Sequence, residues 1–202
     1  MTTVLATFSP RQLALLEAAV RVLAHSGLRG LTHRAVDREA GLPEGTCSAY
    51  MRTRLALLTT LTEYVAAWFA EAIAELTGRI EENADVEGYV VQQTSAMLRS
   101  WLLEPELLLA RLELTIEGSR EPEIARVWQA QAQQLVAIVE HAMDSAAVEH
   151  SQARAVTLIA ALDGVLLRAL REEPSQRASF VRESLELLME ALVGEHGKHP
   201  LP

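Results

Sequence analysis

The chain has little of what several classes of protein need. Its 202 residues include one cysteine, Cys47, which excludes an internal disulfide and favours a reducing compartment. No apolar run approaches the ~20 residues of a membrane-spanning helix, and the first eight residues, MTTVLATF, lack the basic segment of a signal peptide. No run of alternating β-branched residues predicts a strand. These absences, together with the abundance of Ala, Leu and Glu, predict a cytoplasmic, all-α protein.

Charge is distributed unevenly along the chain. The net charge is −9, which taken alone argues against a nucleic-acid partner. Residues 1–60 nevertheless hold seven arginines against four acidic residues, a charge of +3, and the remainder of the chain carries −12. A basic head on an acidic body predicts one end that faces DNA and one that does not.

The stretch Leu31–Leu58, LTHRAVDREAGLPEGTCSAYMRTRLALL, has the pattern of a helix-turn-helix. Thr32 is a good N-cap for the first short helix, on which Asp37 is expected at the edge of the contact with the next helix. Gly41 supplies the backbone freedom that a sharp helix end needs. Thr53 would cap a third, long helix after the second short one.

Apolar periodicity and helix-breaking residues divide the rest of the chain into further helices. Besides the two short helices, the predicted spans are residues 10–25, 53–77, 86–103, 105–118 and 148–171. A further helix opens at residue 122 with an apolar face that extends to residue 142, and a last helix ends near residue 193. Ser9 and Pro10 mark the start of the first span, and Ser26 and Gly27 mark its end. Residues 194–202 are predicted to be disordered.

In the stretch Leu31–Leu58 the chain resembles the TetR family of one-component transcriptional regulators. The residues at the positions of the family's pattern are Ala40, Gly41, Gly45, Thr46, Tyr50, Met51, Arg54 and Leu57, with Arg11, Ala18, Ala19, Leu23, Gly27 and Gly30 upstream. The resemblance implies an N-terminal three-helix helix-turn-helix DNA-binding domain, residues 1–53. It also implies a C-terminal helical domain for effector binding and dimerisation, residues 54–202. Three residues depart from the pattern: Asp37 replaces a small residue, Ser48 a tyrosine and Met51 a phenylalanine.

The head offers polar and cationic side chains to double-stranded operator DNA. The candidate DNA-binding residues are Thr32, His33, Arg34, Glu44, Gly45, Thr46, Ser48, Tyr50, Arg52 and Arg54. Thr46 can meet a thymine methyl group or a base edge, whereas Arg52 and Arg54 suit phosphate contact. The alternative is that Thr46 and Tyr50 only pack in the core and that the arginines form a solvated face.

Aromatic side chains from several helices of the body suit a small, largely apolar ligand. In the family that the chain resembles, these helices enclose a ligand pocket. The candidate ligand-binding residues are Tyr64, Trp68, Met97, Trp101, Arg111, Thr115 and Trp128. The alternative is that the tryptophans belong to an ordinary helical core.

The last two predicted helices are apolar on more than one face, which would leave exposed patches on a monomer. The resemblance implies that this helix pair forms a four-helix interface in a homodimer. The candidate interface residues are Val156, Ile159, Leu167, Phe180 and Leu188. The alternative is that both helices form the buried centre of a monomer.

Metal and catalytic chemistry are weakly represented. His141 and Asp144 could share a metal ion, as could His196 and His199, but no spacing requires it. No nucleophile with a base and no phosphate loop is visible, so neither an enzyme nor a cofactor is predicted. The resemblance to the TetR family, together with the basic head, implies a ligand-responsive transcriptional regulator, and repression rather than activation is implied by the resemblance alone. The alternative function is a helical interaction or scaffold protein that keeps the fold without binding DNA.

Overall fold

The computed structural model describes residues 7–82, 88–145 and 148–193, which fold into α-helices. The nine helices of this part of the chain are α1 (Pro10–Gly30), α2 (His33–Glu39), α3 (Thr46–Tyr50), α4 (Arg54–Glu82), α5 (Tyr89–Leu102), α6 (Pro105–Gly118), α7 (Pro122–Ser145), α8 (Ser151–Ala169) and α9 (Arg177–Leu192). No strand occurs among the described residues, and the predicted all-α fold is confirmed. None of the described helices combines the length and apolarity that crossing a membrane requires.

The predicted ends of α1 and α4 differ most from the structure, each by five residues. The long helix α4 continues to Glu82, beyond the predicted end at residue 77. Helix α1 leaves the helical conformation at Gly27 (φ 61°, ψ −176°), as predicted, but one further turn carries it to Gly30. The predicted disordered tail, residues 194–202, lies outside the described residues.

The three predicted N-caps are confirmed. Ser9 Oγ accepts a hydrogen bond from Gln12 N at 3.3 Å, and Gln12 Oε1 accepts one from Ser9 N at 3.0 Å, which completes a capping box. Thr32 Oγ1 accepts from Ala35 N at 3.2 Å, and Thr53 Oγ1 accepts from Ala56 N at 3.0 Å. These short-range bonds set where α1, α2 and α4 begin.

The described residues divide into two compact units. The first unit contains the described residues of Met1–Ala72 and Glu104–Gln131, and the second those of Ile73–Leu103 and Ala132–Pro202. The core of the first unit is formed by α1, α4, α6 and the start of α7. Its fully buried side chains include Leu15, Leu16, Leu23, Leu57, Leu61, Val65, Leu114 and Ile124. The predicted domain boundary at residues 53 and 54 remains a prediction.

The second unit has its own apolar core. Met143 of α7 and Ala155 and Leu158 of α8 form a buried cluster. Partly buried side chains packed against this cluster are Val136, Val139, Val148, Leu162, Leu188, Met189, Leu192 and Val193. Leu188 of α9 thus packs inside its own unit.

Candidate nucleic-acid interface

Helices α2 and α3 and the turn between them form the helix-turn-helix. Gly41 adopts the left-handed conformation (φ 65°) where α2 ends, as the sequence predicted. Gly45 also has a positive φ (93°) and is the N-cap residue of α3. Both turns need a backbone conformation that most side chains disfavour, so glycine at these two positions defines the path of the chain.

The expectation for Asp37 was wrong. It is 1% exposed, and its carboxylate lies against the start of α3 rather than at the edge of the contact. Asp37 Oδ2 accepts from Gly45 N at 2.8 Å, and Asp37 Oδ1 accepts from Cys47 N at 2.7 Å. Sequence reasoning missed this role because the partner atoms lie eight and ten residues away.

Cys47 is fully buried on the inner side of α3. Burial, together with the nearby carboxylate of Asp37, raises the pKa of the Cys47 thiol to about 11. The thiol is therefore neutral near pH 7 and fits a packing role, as expected for a small core residue.

Most of the candidate DNA-binding residues lie on one surface. An open depression is lined by Thr32, His33, Arg34, Asp37, Glu44, Gly45 and Ser48. Arg34 Nε lies 3.9 Å from Glu44 Oε2, with the side chains 86% and 79% exposed, so this ion pair is weak and both groups remain accessible. Tyr50 and Arg52 are exposed as well, which agrees with a surface that could meet a duplex.

Two hydroxyl groups of α3 are engaged within their own turn. Thr46 Oγ1 donates to Pro43 O at 2.6 Å, and Ser48 Oγ donates to Gly45 O at 3.0 Å. Each hydroxyl oxygen keeps lone pairs that can accept a hydrogen bond, and the Thr46 methyl group remains for apolar contact. A base contact by Thr46 would therefore use its methyl group or its acceptor capacity.

Two candidates also tie the helices together. The imidazole Nε2 of His33 lies 2.6 Å from Met51 O, which links the start of α2 to the end of α3. The guanidinium of Arg54 donates to Leu31 O at 2.7 Å and to Leu28 O at 2.6 Å. The contact of Arg54 with phosphate remains a prediction, and the structure adds a bridge from α4 to the last turn of α1 and to the residue that follows it.

The first unit contains five of the seven candidate ligand-binding residues. Trp68 packs edge-on against Phe69, with ring centroids 5.0 Å apart, and the Arg111 guanidinium lies 5.3 Å from the centroid of the Phe69 ring. The Trp128 indole lies over Gly118, and its buried Nε1–H has no acceptor in the part of the chain that the structure describes. These contacts place Trp68 and Arg111 around a common ring.

Tyr64 and Thr115 occupy different surroundings. Tyr64 is buried, packs edge-on against Phe8 at 6.2 Å, and has its pKa raised to about 12, first by burial. Thr115 is exposed and donates from Oγ1 to Arg111 O at 2.7 Å. Met97 and Trp101, the other two candidates, are buried residues of α5 in the second unit.

The candidate interface residues differ in exposure. Val156 and Leu167 of α8 are 50% and 49% exposed. Ile159 and Phe180 are partly buried, as is Leu188, which packs in the core of the second unit. Leu187, its neighbour on α9, is 67% exposed. The outward apolar face of α8 and α9 therefore includes Val156, Leu167 and Leu187.

No cluster of three or more metal-ligating side chains occurs among residues 7–82, 88–145 and 148–193. His141 and Asp144 lie on α7 within that range, whereas His196 and His199 lie outside it. The weak metal pairs predicted from the sequence therefore gain no third ligand from the described part of the fold.

The chain matches one protein family in sequence over residues 87–195 and several solved structures over most of its length. Residues 87–195 match the sequence model of the family described as tetracyclin repressor-like, C-terminal domain. A search of the curated proteins gave no match. A solved member of the TetR family from Streptomyces coelicolor is similar with a TM-score of 0.70 and 24% identity, over 89% of this chain and 98% of that chain.

Two further solved structures are similar over most of their length. A TetR transcription regulator from Haloarcula marismortui has a TM-score of 0.72 and 18% identity, over 92% of this chain and 100% of that chain. The multidrug binding protein EbrR in complex with ethidium has a TM-score of 0.64 and 24% identity, over 89% of this chain and 98% of that chain. At these identities the likeness establishes a common fold that includes the helix-turn-helix.

Proposed function

The chain belongs to the tetracyclin repressor-like (TetR) family, and from this premise we propose that it is a homodimeric repressor of transcription that a small, largely apolar molecule releases from its operator. The observation that carries the DNA-binding part is the surface around α3. There Thr32, Arg34 and Ser48 line one depression of the basic head, and Tyr50 and Arg52, at the end of α3 and just after it, are exposed. Recognition helices of this kind enter the major groove of DNA.

The charges of the head support a duplex as partner. Residues 1–60 carry +3 although the whole chain carries −9. Arg21 Nε lies 2.7 Å from Glu39 Oε1, and neither residue of this ion pair lines the depression. Arg34 and Arg52 are exposed near α3 and would meet phosphates, which hold a protein on DNA without specifying sequence. Glu44 repels phosphate, so it would accept from an exposed base amino group, such as that of cytosine.

In vitro selection from a duplex library with a randomised centre tests the DNA-binding part. The wild-type protein is expected to enrich a sequence with two related half-sites whose centres lie about one helical turn apart. Its affinity for the enriched duplex should fall steeply with rising salt, because cations on DNA are released. Failure to enrich any sequence would favour the alternative, an interaction protein that keeps the fold without binding DNA.

The first unit supports an aromatic effector with a hydrogen-bond acceptor. Trp68 and Arg111 contact the buried ring of Phe69, so two aromatic rings and a cation lie together, and Trp128 holds a buried indole N–H without an acceptor among the described residues. A buried donor without a partner is costly, so a ligand acceptor at this point would be favoured. The complex of EbrR with ethidium supports this choice of ligand, because it shows that a protein of similar fold can bind a planar aromatic molecule.

A thermal-shift panel of aromatic compounds tests the effector part, with ethidium as the cationic, 2-naphthol as the neutral and 2-naphthoate as the anionic probe. We expect 2-naphthol or 2-naphthoate to raise Tm and Trp128→Phe, which keeps an aromatic ring but removes the N–H, to reduce that shift. A ligand that lowers operator affinity must itself bind more weakly to the DNA-bound protein by the same factor. Equal affinity for both states, or no shift with any probe, would contradict this part.

A further inference from the structure

We infer that Asp37 is a positioning residue, which holds the recognition helix α3 in register and so sets operator discrimination without touching DNA. The inference rests on the proposed DNA-binding function. Asp37 is not among the candidate DNA-binding residues, and its side chain is only 1% exposed.

Helix α3 cannot cap its own N-terminus. An N-cap side chain normally accepts the N–H two or three residues further on. The N-cap of α3 is Gly45, which has no side chain and a φ of 93°. The backbone N–H of Thr46 bonds locally to Pro43 O at 3.2 Å, but those of Gly45 and Cys47 need an acceptor from elsewhere in the fold.

The carboxylate of Asp37 supplies that acceptor from the neighbouring helix. It accepts from Gly45 N (2.8 Å) and from Cys47 N (2.7 Å), the latter two residues past the N-cap. A capping box satisfies a similar pair of donors with two side chains of one helix, whereas here one carboxylate of α2 satisfies both. The negative charge also lies at the positive end of the α3 dipole, which strengthens both bonds.

These bonds act on position because α3 is short. It has five residues, Thr46–Tyr50, far fewer than a helix needs to be stable alone. The Thr46 and Ser48 hydroxyls bond inside the same turn and so do not hold α3 against α2. Asp37 anchors the beginning of α3 to α2, and His33 anchors its end through Met51 O.

Loss of the Asp37 anchor should therefore tilt or fray the beginning of α3 while the rest of the head stays folded. Asp37→Asn is nearly isosteric, but its amide group accepts at only one atom and presents N–H groups to the other backbone donor. Asp37→Ala removes both acceptors. Glu39→Gln is the matched control, because it removes the same charge from the same helix at an exposed position.

The binding experiment compares the duplex enriched by the wild-type protein with a random-sequence duplex of equal length, at one salt concentration, using variants that circular dichroism shows to be folded. The ratio of the two affinities should fall about tenfold in Asp37→Asn, the size expected from loss of one helix cap. It should fall further in Asp37→Ala and stay at the wild-type value in Glu39→Gln. A folded Asp37→Asn variant with the wild-type ratio would overturn the inference.

Amide hydrogen exchange measured by NMR gives a readout that does not need DNA. The amides of Gly45 and Cys47 should lose protection in Asp37→Asn, whereas that of Leu61 in α4 should keep it. Unchanged protection of Cys47 would overturn the inference, and uniform loss in both helices would show general unfolding and overturn it as well. If the wild-type protein enriches no duplex, the proposed DNA-binding function fails and the operator part of this inference fails with it, while the exchange result still decides whether Asp37 holds α3.

Discussion

At the scale of a single residue, Arg54 combines an observed structural role with a proposed DNA contact. Its guanidinium bridges Leu28 O and Leu31 O, and its charge suits a phosphate. We expect both Arg54→Ala and Arg54→Lys to lower the free energy of unfolding by about 1 kcal/mol, because an ammonium group cannot span both carbonyls. Only Arg54→Ala should also lower the salt slope of DNA binding, by about one charge.

Urea denaturation and binding titrations at several salt concentrations measure the two effects of the Arg54 variants. Arg52→Ala is the control, since this exposed arginine precedes Arg54 by two residues. It should lower the salt slope and leave the free energy of unfolding unchanged. If Arg54→Lys is as stable as the wild type, the bridge to the two carbonyls is unimportant.

Cys47 gives the stability of the protein a dependence on alkaline pH. Its thiol has a folded-state pKa of about 11 against an ordinary value of 9.0, so the folded protein keeps a proton that the unfolded chain releases. The stabilisation by this proton is fully present below pH 9 and is lost as the pH rises through 11, about 2–3 kcal/mol in all.

Urea denaturation between pH 8 and pH 10.5 checks the prediction for Cys47. The free energy of unfolding should fall more steeply in the wild type than in Cys47→Ala, which has no thiol to titrate. Tyr64, whose pKa is raised to about 12, contributes to the slope in both proteins, so the difference between them isolates Cys47. Equal slopes would mean that the thiol is ordinary in the folded state.

At the scale of the element, the break near the end of helix α1 depends on one glycine, Gly27. Gly27 adopts φ 61° and ψ −176°, a region that is essentially open to glycine alone, and the chain there turns before its last helical turn. Gly27→Ala should lower the free energy of unfolding by about 1–3 kcal/mol because of this strain, not because of crowding. A Cβ at this position would meet only Glu113 Oε1, at 3.8 Å.

Gly78→Ala is the matched substitution for Gly27→Ala. Gly78 lies inside α4, and a Cβ there would meet nothing within 4 Å. This variant should be about 0.5–1 kcal/mol more stable than the wild type, since alanine favours a helix interior. The midpoints of thermal and urea denaturation should thus fall in Gly27→Ala and rise in Gly78→Ala. A shift of both midpoints in the same direction would contradict the conformational explanation.

The assembly of two chains is the prediction at the scale of the whole molecule. Leu167→Glu and Leu187→Glu should each convert the proposed dimer into a monomer, because the interface would bury a charge without a partner. Light scattering coupled to size exclusion measures the mass. Ile116→Glu is the control, since Ile116 is 54% exposed on α6 in the first unit. If both leucine variants remain dimeric, the interface does not include the outward face of α8 and α9.

The sequence by itself determined the helices, their caps and the helix-turn-helix. Ser9, Thr32 and Thr53 mark helix starts, and Gly41 marks a helix end, through bonds and conformations that involve residues no more than a few positions apart. Such short-range signals can be read from the order of residues, because each acts on the backbone next to it.

The tertiary structure alone decided which distant atoms meet. Asp37 finds its donors eight and ten residues away, and Arg54 finds its acceptors 23 and 26 residues away. The packing of the helices likewise places Leu188 against the core of the second unit and leaves Leu187 exposed, although both are leucines on α9. The composition and periodicity of a segment indicate which secondary structure and which burial its residues favour. Which distant residue each one contacts depends on how whole helices pack. That packing is driven by hydrophobic burial across the whole chain, and the order of residues within one segment does not determine it.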